Sequence, residues 1–254
     1  MSVRLADLTF VEVQNAIERG AVALLPVGAT EAHGPHLPIE TDVVIAHETC
    51  RRAAPLIRAG LGLETLVMPP VAYALTDYAA PFAGTVSIPK DVVVRYLTEI
   101  VVSASQSGYR AVCLVNGHLE PSHRHALRDA ADHARARAAC PVAIADPCDR
   151  RWVSRLTEEF QSGACHAGQY ETSLLLAAGA TVKDHAHLPA VDIDLMGGMK
   201  AGASNFRDMG AEDAYFGHPA RASREEGESS FQILAEIVRQ VVGEALDQAK
   251  GSDR

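Results

Sequence analysis

Side chains that bind metal ions are concentrated in one short stretch near the start of the chain. Glu31, His33, His36 and Asp42 all fall within residues 31–42, with a glycine and two prolines between them. Metal sites need deprotonated oxygen and neutral nitrogen ligands, and proline reduces the freedom of the backbone that carries them. This stretch is therefore a candidate metal-binding loop. His36 is either a third ligand from the loop or an outer residue that fixes it.

A second group of ligand types lies in the motif NGHLE, at residues 116–120. His118 and Glu120 are two residues apart, so in an extended segment both side chains point the same way. Together with Glu31, His33 and Asp42 they make three carboxylates and two imidazoles. A mononuclear catalytic zinc site usually has three protein ligands. The larger set suits two divalent ions bridged by one carboxylate, with hydroxide held between them.

A third motif, HAGQYETS, places His166 before a glycine and Glu171 at the start of a predicted helix. An acidic residue in the first turn of a helix is favoured by the helix dipole, so Glu171 also has a purely structural interpretation. Ser173 is not surrounded by a G-x-S-x-G elbow, which disfavours a serine hydrolase. Asn-Gly is ordinary turn chemistry, so the combination of motifs, rather than any one of them, indicates a metal site.

The elements that must hold these motifs alternate between strands and helices. Apolar runs at Val22–Val27, Thr65–Val71, Ala111–Val115 and Val142–Ala145 predict buried strands. Continuous apolar strands indicate a mostly parallel sheet covered on both faces, a three-layer α/β/α fold. Ligands bind beyond the carboxyl ends of such strands, where the first two motifs lie. Helices are predicted over residues 9–19, 43–57, 90–107, 120–139, 171–178 and 224–248, and residues 185–222 are predicted to be irregular.

Composition limits the classes of function. The length of 254 residues suits a single domain over 1–254. The net charge is −9, whereas nucleic-acid-binding proteins carry a basic surface. No apolar run has the length of a membrane span, and no signal peptide is recognisable at the N-terminus. Five cysteines without a CxxC pair indicate a reducing compartment, so a cytoplasmic protein is expected.

These motifs make the chain similar to the creatininase (creatinine amidohydrolase) family. LPVGATEAHGPHLPIETD, NGHLE and HAGQYETS resemble three family signatures, and ASREEGE also fits. PFAGTVSI resembles a fourth element, with Ala83 where a proline is usual. The matches keep their order from residue 21 to residue 228. The resemblance implies an α/β/α fold, a two-metal site, hydrolysis of amide C–N bonds, and homo-oligomers that are hexamers built from dimers.

The resemblance also assigns metal ligands. It implies that Glu31 and His118 hold one divalent ion, that His33 and Glu120 hold the other, and that Asp42 bridges them. Zinc is the first choice for both ions, and manganese is the alternative because carboxylate-rich sites suit it.

Roles in catalysis and around the metals follow from the same resemblance. His166 matches the family's catalytic histidine, which is proposed to carry a proton to the departing nitrogen, and Glu171 matches a carboxylate that could orient it. His36, Thr76 and Asn116 are expected in an outer shell or against the substrate.

The substrate is less defined than the reaction. Glu120 favours the creatinine-hydrolysing branch, because many family members carry Gly-Gly at that place. Leu119 and Ser162 stand where those enzymes have aromatic residues, and the loop 74–79 also departs from the common pattern. The expected reaction is cleavage of a small, cyclic amide such as creatinine through a metal-bridging hydroxide. Within the family, the alternatives are deformylation and peptide cleavage. Outside it, the alternative is a non-catalytic module that binds a metal or a nucleotide. No glycine-rich nucleotide-binding motif follows any of the predicted strands.

Overall fold

A computed structural model describes residues 3–252 and contains a four-stranded sheet. The strands are β1 (Val22–Val27), β2 (Thr65–Val67), β3 (Val112–Asn116) and β4 (Val142–Ala145). They lie in the order β2-β1-β3-β4, and all three neighbouring pairs are parallel. The predicted parallel α/β architecture is confirmed.

Helices connect the strands and cover both faces of the sheet. The α-helices of the described chain are α1 (Phe10–Glu18), α2 (Thr41–Leu61), α3 (Lys90–Gln106), α4 (Pro121–Arg135), α5 (Glu158–Ser162), α6 (Gln169–Ala178), α7 (Leu195–Lys200) and α8 (Arg224–Ser252). No helix within residues 3–252 is both long and apolar enough to cross a bilayer.

Successive side chains of β1 point to opposite faces of the sheet, which produces the three layers. Leu24 belongs to one apolar core with residues of α2, α6 and α8. Leu25 belongs to a second core, which contains residues of α1, α3 and α4. Both leucines are fully or almost fully buried, so each of them contributes apolar burial to a different layer.

The carboxyl ends of β1 and β3 meet at the point where the strand order reverses. The chain passes from β1 to β2 on one side and later returns to β3 on the other, and Val27 pairs with Asn116 at the end of the ladder. Crevices for ligands form at such switch points in open α/β sheets. The two loops that carry the predicted ligands leave the sheet here.

Two glycines let the start of α2 approach these strand ends. A β-carbon on Gly117 would lie 2.3 Å from the carbonyl oxygen of Asp42, and one on Gly28 would lie 2.5 Å from the amide nitrogen of Val43. Backbone atoms at this distance leave no space for a side chain. Asp42 is thereby held against the ends of both central strands.

A third, smaller apolar cluster lies over this edge of the sheet. It joins Ala32 of the first loop to residues of the segment 195–216, among them Phe206 and Phe216. The segment predicted to be irregular is mostly so, but it contains the short helix α7 and a bridge between Val191 and Gly217. This cover separates the ligand loops from solvent.

Candidate metal centre

The carboxylate of Asp42 lies between two imidazoles. Its Oδ1 is 3.1 Å from Nε2 of His33, and its Oδ2 is 2.9 Å from Nδ1 of His118. All three side chains are almost fully buried. One carboxylate therefore faces two nitrogen ligands, one with each oxygen, as a bridging group would.

Each imidazole also belongs to a group of three ligand atoms that lie within 4.8 Å of one another. Glu31, Asp42 and His118 form one group, and His33, Asp42 and Glu171 form a second; a third, without Asp42, consists of Glu31, His33 and His166. The His118 Nδ1 to Glu31 Oε1 distance is 3.4 Å, and the His33 Nε2 to Glu171 Oε2 distance is 3.5 Å. Ligand atoms at 2.0–2.1 Å from a tetrahedral zinc ion would be about 3.3 Å apart, so these spacings fit a divalent ion.

The bonding of these atoms supports the same interpretation. His33 Nε2 and Asp42 Oδ2 are buried and lie close to Asp42 Oδ1 and His118 Nδ1, respectively. Neither atom makes a hydrogen bond of acceptable geometry within the part of the chain that the structure describes. Buried polar atoms normally have a partner, and an exception calls for an explanation such as an ion. The residues present therefore fit divalent metal ions.

Three histidines are oriented by backbone carbonyl groups. His33 Nδ1 lies 3.1 Å from the oxygen of Glu31, His118 Nε2 lies 3.0 Å from that of Leu75, and His166 Nε2 lies 3.0 Å from that of Ala32. In each ring the other nitrogen faces the acidic cluster. A carbonyl that takes the distal N–H fixes the tautomer and leaves the facing nitrogen free to bind a metal or a proton.

Glu120 and Glu171 differ from their expected placement. The Glu120 carboxylate, at the start of α4, accepts hydrogen bonds from the Ser122 hydroxyl and, at 3.2 Å, from the Tyr78 amide. Among the described residues it belongs to none of the three-ligand groups. Glu171, expected to orient His166, instead lies beside His33, where Glu120 was expected. Its Oε2 also accepts the Ala167 amide at 2.7 Å.

The remaining predicted residues surround the cluster. The Thr76 hydroxyl donates to Glu31, and Asn116 Oδ1 accepts the His118 amide at 3.1 Å. His36 is buried outside the cluster, with Nε2 2.9 Å from the Thr172 hydroxyl. All three side chains thus support ligand-bearing segments by hydrogen bonds.

His166 stands at the side of the cluster. Its Nδ1 is 3.6 Å from Glu31 Oε1, and its ring centroid is 4.4 Å from that of His33. Burial and the neighbouring charge of His33 lower the pKa of His166 to about 4. The imidazole is therefore neutral near pH 7 and able to accept a proton at Nδ1.

A cavity of about 250 Å³ opens directly onto these groups. Its floor includes Glu31, Asp42 and His118, while Phe206 packs on His166 with ring centroids 4.5 Å apart. Sequence reasoning placed Leu119 and Ser162 on the substrate side, and both line this cavity. Tyr78, from the loop 74–79 that sequence reasoning also placed on this side, lines the cavity as well. The rest of the apolar wall was not identified, because it comes from segments without a chemical motif: Val153, Phe160, Leu195, Met196, Met199 and Phe206.

In the metal-free cluster, protons take the place of positive metal charge. Burial disfavours a charged ring, but the Asp42 carboxylate and its acidic neighbours raise the pKa of His33 to about 10. The pKa of His118 is also raised, because Glu31 and Asp42 outweigh the effect of burial. Burial raises the pKa of Glu171 to about 8.

Loading the site with metal is therefore expected to release protons. At pH 7 we expect about three protons per chain, from His33, His118 and Glu171, because a metal ligand must be deprotonated. Since these pKa values are raised, protons compete with metal throughout the neutral range, and metal affinity should increase from pH 6 to pH 9. Calorimetric titration in buffers of different ionisation enthalpy measures the release. An affinity that is independent of pH would contradict the prediction.

The chain is similar in sequence to known proteins. A family model described as creatininase, creatinine amidohydrolase, matches residues 6–242. A mycofactocin precursor peptide peptidase of Mycobacterium tuberculosis (strain H37Rv) is 30% identical over 240 residues, which cover 90% of this chain and 87% of that protein. The corresponding peptidase of Mycolicibacterium smegmatis is 36% identical over 155 residues, or 61% of this chain, and the match spans only 57% of that relative.

The fold of the chain is also similar to that of a solved structure. A solved structure of creatininase, a tryptophan-to-phenylalanine mutant of Type II, superposes with a TM-score of 0.70 at 25% identity. The superposition covers 96% of this chain and 98% of that one. Because the family model spans most of the sequence, the chain belongs to the creatininase family.

Proposed function

We propose that this protein hydrolyses the C–N bond of a small amide with the help of two divalent metal ions. The observation that carries the proposal is the placement of Asp42, whose two carboxylate oxygens each face an imidazole of a different ligand group. Zinc is the first choice for the ions, and manganese is the alternative. Mixed carboxylate and imidazole ligands suit both metals.

The ligand sets follow from the distances. Glu31, Asp42 and His118 would hold one ion, and His33, Asp42 and Glu171 would hold the other. Glu120 lines the same cavity and is proposed as an additional ligand of the Glu31 side, where its pKa, raised by burial, would fall on binding a cation. Ions bound in this way would polarise an amide carbonyl and supply a nucleophile at neutral pH.

The chain's own residues would handle protons and position the substrate. His166 is neutral and its Nδ1 faces the cluster, so it can take a proton and pass it to the departing nitrogen, as a general acid–base group does. The Ala32 carbonyl holds its distal N–H. The apolar wall around Phe206 excludes water from this proton path, which strengthens electrostatic interactions inside the cavity.

The substrate is proposed to be a compact amide with an apolar portion. Creatinine, a cyclic amide, remains the first compound to test, because Glu120 is present. The apolar residues of the cavity, with Leu119 and Ser162 among its lining, favour a second candidate, a peptide-type amide with an apolar side chain. The relative that matches over most of its length is a peptide peptidase, which supports this candidate.

Hydrolysis by metal-loaded protein tests the proposal. Protein reconstituted separately with zinc and with manganese should bind two ions per chain and hydrolyse at least one of creatinine, a formamide or a short apolar peptide. Metal content and product are measured on the same preparation. Two bound ions with no hydrolysis of any of these amides would favour a non-catalytic metal-binding protein. Full activity with fewer than two ions per chain would contradict the two-metal mechanism.

We also propose that residues 1–254 form one domain and that the protein works as a homo-oligomer in the cytoplasm, with a hexamer as the expected assembly. The family resemblance supports the assembly, and the cysteine usage supports the compartment. Light scattering coupled to size-exclusion chromatography measures the mass in solution. A monomer at micromolar concentration would contradict the proposed assembly.

A further inference from the structure

The turn that carries His166 has an unfavourable backbone conformation. Ala167 has a φ of +50°, one of two positive values at non-glycine residues in the described chain. Such conformations are unfavourable for a residue with a side chain and persist only where surrounding contacts enforce them. Ala167 is completely buried and stands between His166 and the helix that bears Glu171. Something must therefore hold this turn in place.

Glu159, on the short helix α5, makes the contacts that do so. Its Oε1 accepts the backbone N–H groups of Gln169 at 3.0 Å and His218 at 2.8 Å, and its Oε2 accepts that of Tyr170 at 2.7 Å. Gln169 and Tyr170 are the first two residues of α6. The residue before them, Gly168, provides no side-chain cap of its own.

The carboxylate is also enclosed by the segments it joins. A β-carbon on Gly168 would lie 2.7 Å from Glu159 Oε2, and one on Gly217 would lie 2.1 Å from Oε1. Both positions hold glycine, so the carboxylate touches the backbone of the turn on one side and of residues 216–218 on the other. The same two segments meet again where the Phe216 amide donates to the His166 carbonyl at 2.9 Å.

We propose that Glu159 is a positioning residue that sets the geometry of His166 and Glu171. By fixing the start of α6, it holds Glu171 beside His33 and Asp42, and by fixing the turn, it holds the His166 ring over the cluster. The inference rests on the proposed function for the roles of His166 and Glu171. Glu159 itself does not touch the cluster or line the cavity.

A carboxylate is required because three donors converge on two oxygens. In Glu159→Gln one of the two positions becomes an NH₂ group, which cannot accept a backbone N–H and would face it as a second donor. An unsatisfied buried N–H is costly, so the turn should relax locally while the side chain keeps its size. Glu158→Gln is the matched control, because Glu158 is the exposed neighbour on the same helix.

The experiment compares the two variants with the unmodified metal-loaded enzyme. For E159Q we expect affinity for zinc, measured against a competing chelator, to fall by about 10- to 100-fold, the range seen when supporting partners of metal ligands are removed. We expect kcat to fall by a similar factor, with KM changed less than about threefold. Hydrogen exchange should accelerate in peptides covering residues 165–171 and 216–218 and not elsewhere. E158Q should match the unmodified enzyme in all three measurements.

Two results would overturn the inference. One is E159Q with zinc affinity and local exchange equal to those of E158Q. The other is accelerated exchange throughout the chain, which would show a general contribution to stability. If E159Q does not accumulate as folded protein, E159D serves instead, because a carboxylate that is one methylene shorter cannot span all three amides. Metal affinity and exchange are measured without substrate, so they decide the role of Glu159 even if no amide is hydrolysed and the proposed function fails.

Discussion

Replacing Asp42 with asparagine should abolish turnover and remove metal from both ligand groups. Its two oxygens face His33 Nε2 and His118 Nδ1, and the carboxylate belongs to both groups of ligands. The amide keeps the shape of the side chain but loses the negative charge and one of the two oxygens. Loss of a single electrostatic contact in an active site costs about 10²–10³ in kcat, and here both ions lose a ligand. We therefore expect the kcat of D42N to be at least about 10³-fold lower than that of the unmodified enzyme.

The matched control for this change is Glu40→Gln. Glu40 is an exposed acid two residues earlier, at the start of the same helix, and it makes no side-chain capping bond. Metal content, counted by elemental analysis, should stay at two ions per chain in E40Q and fall in D42N. Retained turnover with normal metal content in D42N would exclude Asp42 as the bridging ligand.

Replacing His166 with glutamine should separate proton transfer from metal binding. Positioned acid–base groups contribute about 10²–10⁴ to the rate, so we expect kcat to fall by that factor. Zinc content should remain at two ions per chain, because both ligand groups that share Asp42 lack His166. Steady-state kinetics and metal analysis of the same preparation measure both effects.

His166 also stands in a third group of potential ligands, with Glu31 and His33, which gives the experiment its alternative outcome. Loss of one ion from H166Q would identify His166 as a metal ligand. Another residue would then have to act as the acid–base group. His187→Gln is the control, since the His187 side chain is 86% exposed and has no contact with the cluster. It should change neither rate nor metal content.

The strands and long helices could be predicted from sequence because their patterns are strong. The apolar run Val22–Val27 has the same limits in the structure as in the prediction. The start of α2 at Thr41 was missed by two residues, which placed Asp42 in a loop rather than in the first helical turn. Helices of five or six residues, such as α5 and α7, are too short to show an apolar period, and neither was predicted.

The site could be predicted only in part, for a reason that lies in the fold. Residues that follow β1 and β3 come together because parallel strands end at one edge, so their convergence could be expected from the motifs. The convergence of the strand ends does not show which carboxylate lies beside His33. Glu120 and Glu171 are both acidic and both stand at helix starts, and only the packing of α6 brings Glu171 beside His33. Glu159 lies in the polar segment EEFQS, where nothing in the sequence distinguishes a half-buried carboxylate that binds backbone amides from an exposed acid.

The wall of the cavity and the cluster at its floor come from different parts of the chain. The ligand groups use the loops after β1 and β3 and the starts of α2 and α6, whereas the apolar wall is built largely by α5, α7 and Phe206. Substitutions in the wall can therefore change which amide enters, while the reacting groups keep their places. During evolution such a division lets substrate preference diverge without loss of the reaction. It also marks Met196 and Met199, two adaptable side chains, as positions where selection for a new substrate would act first.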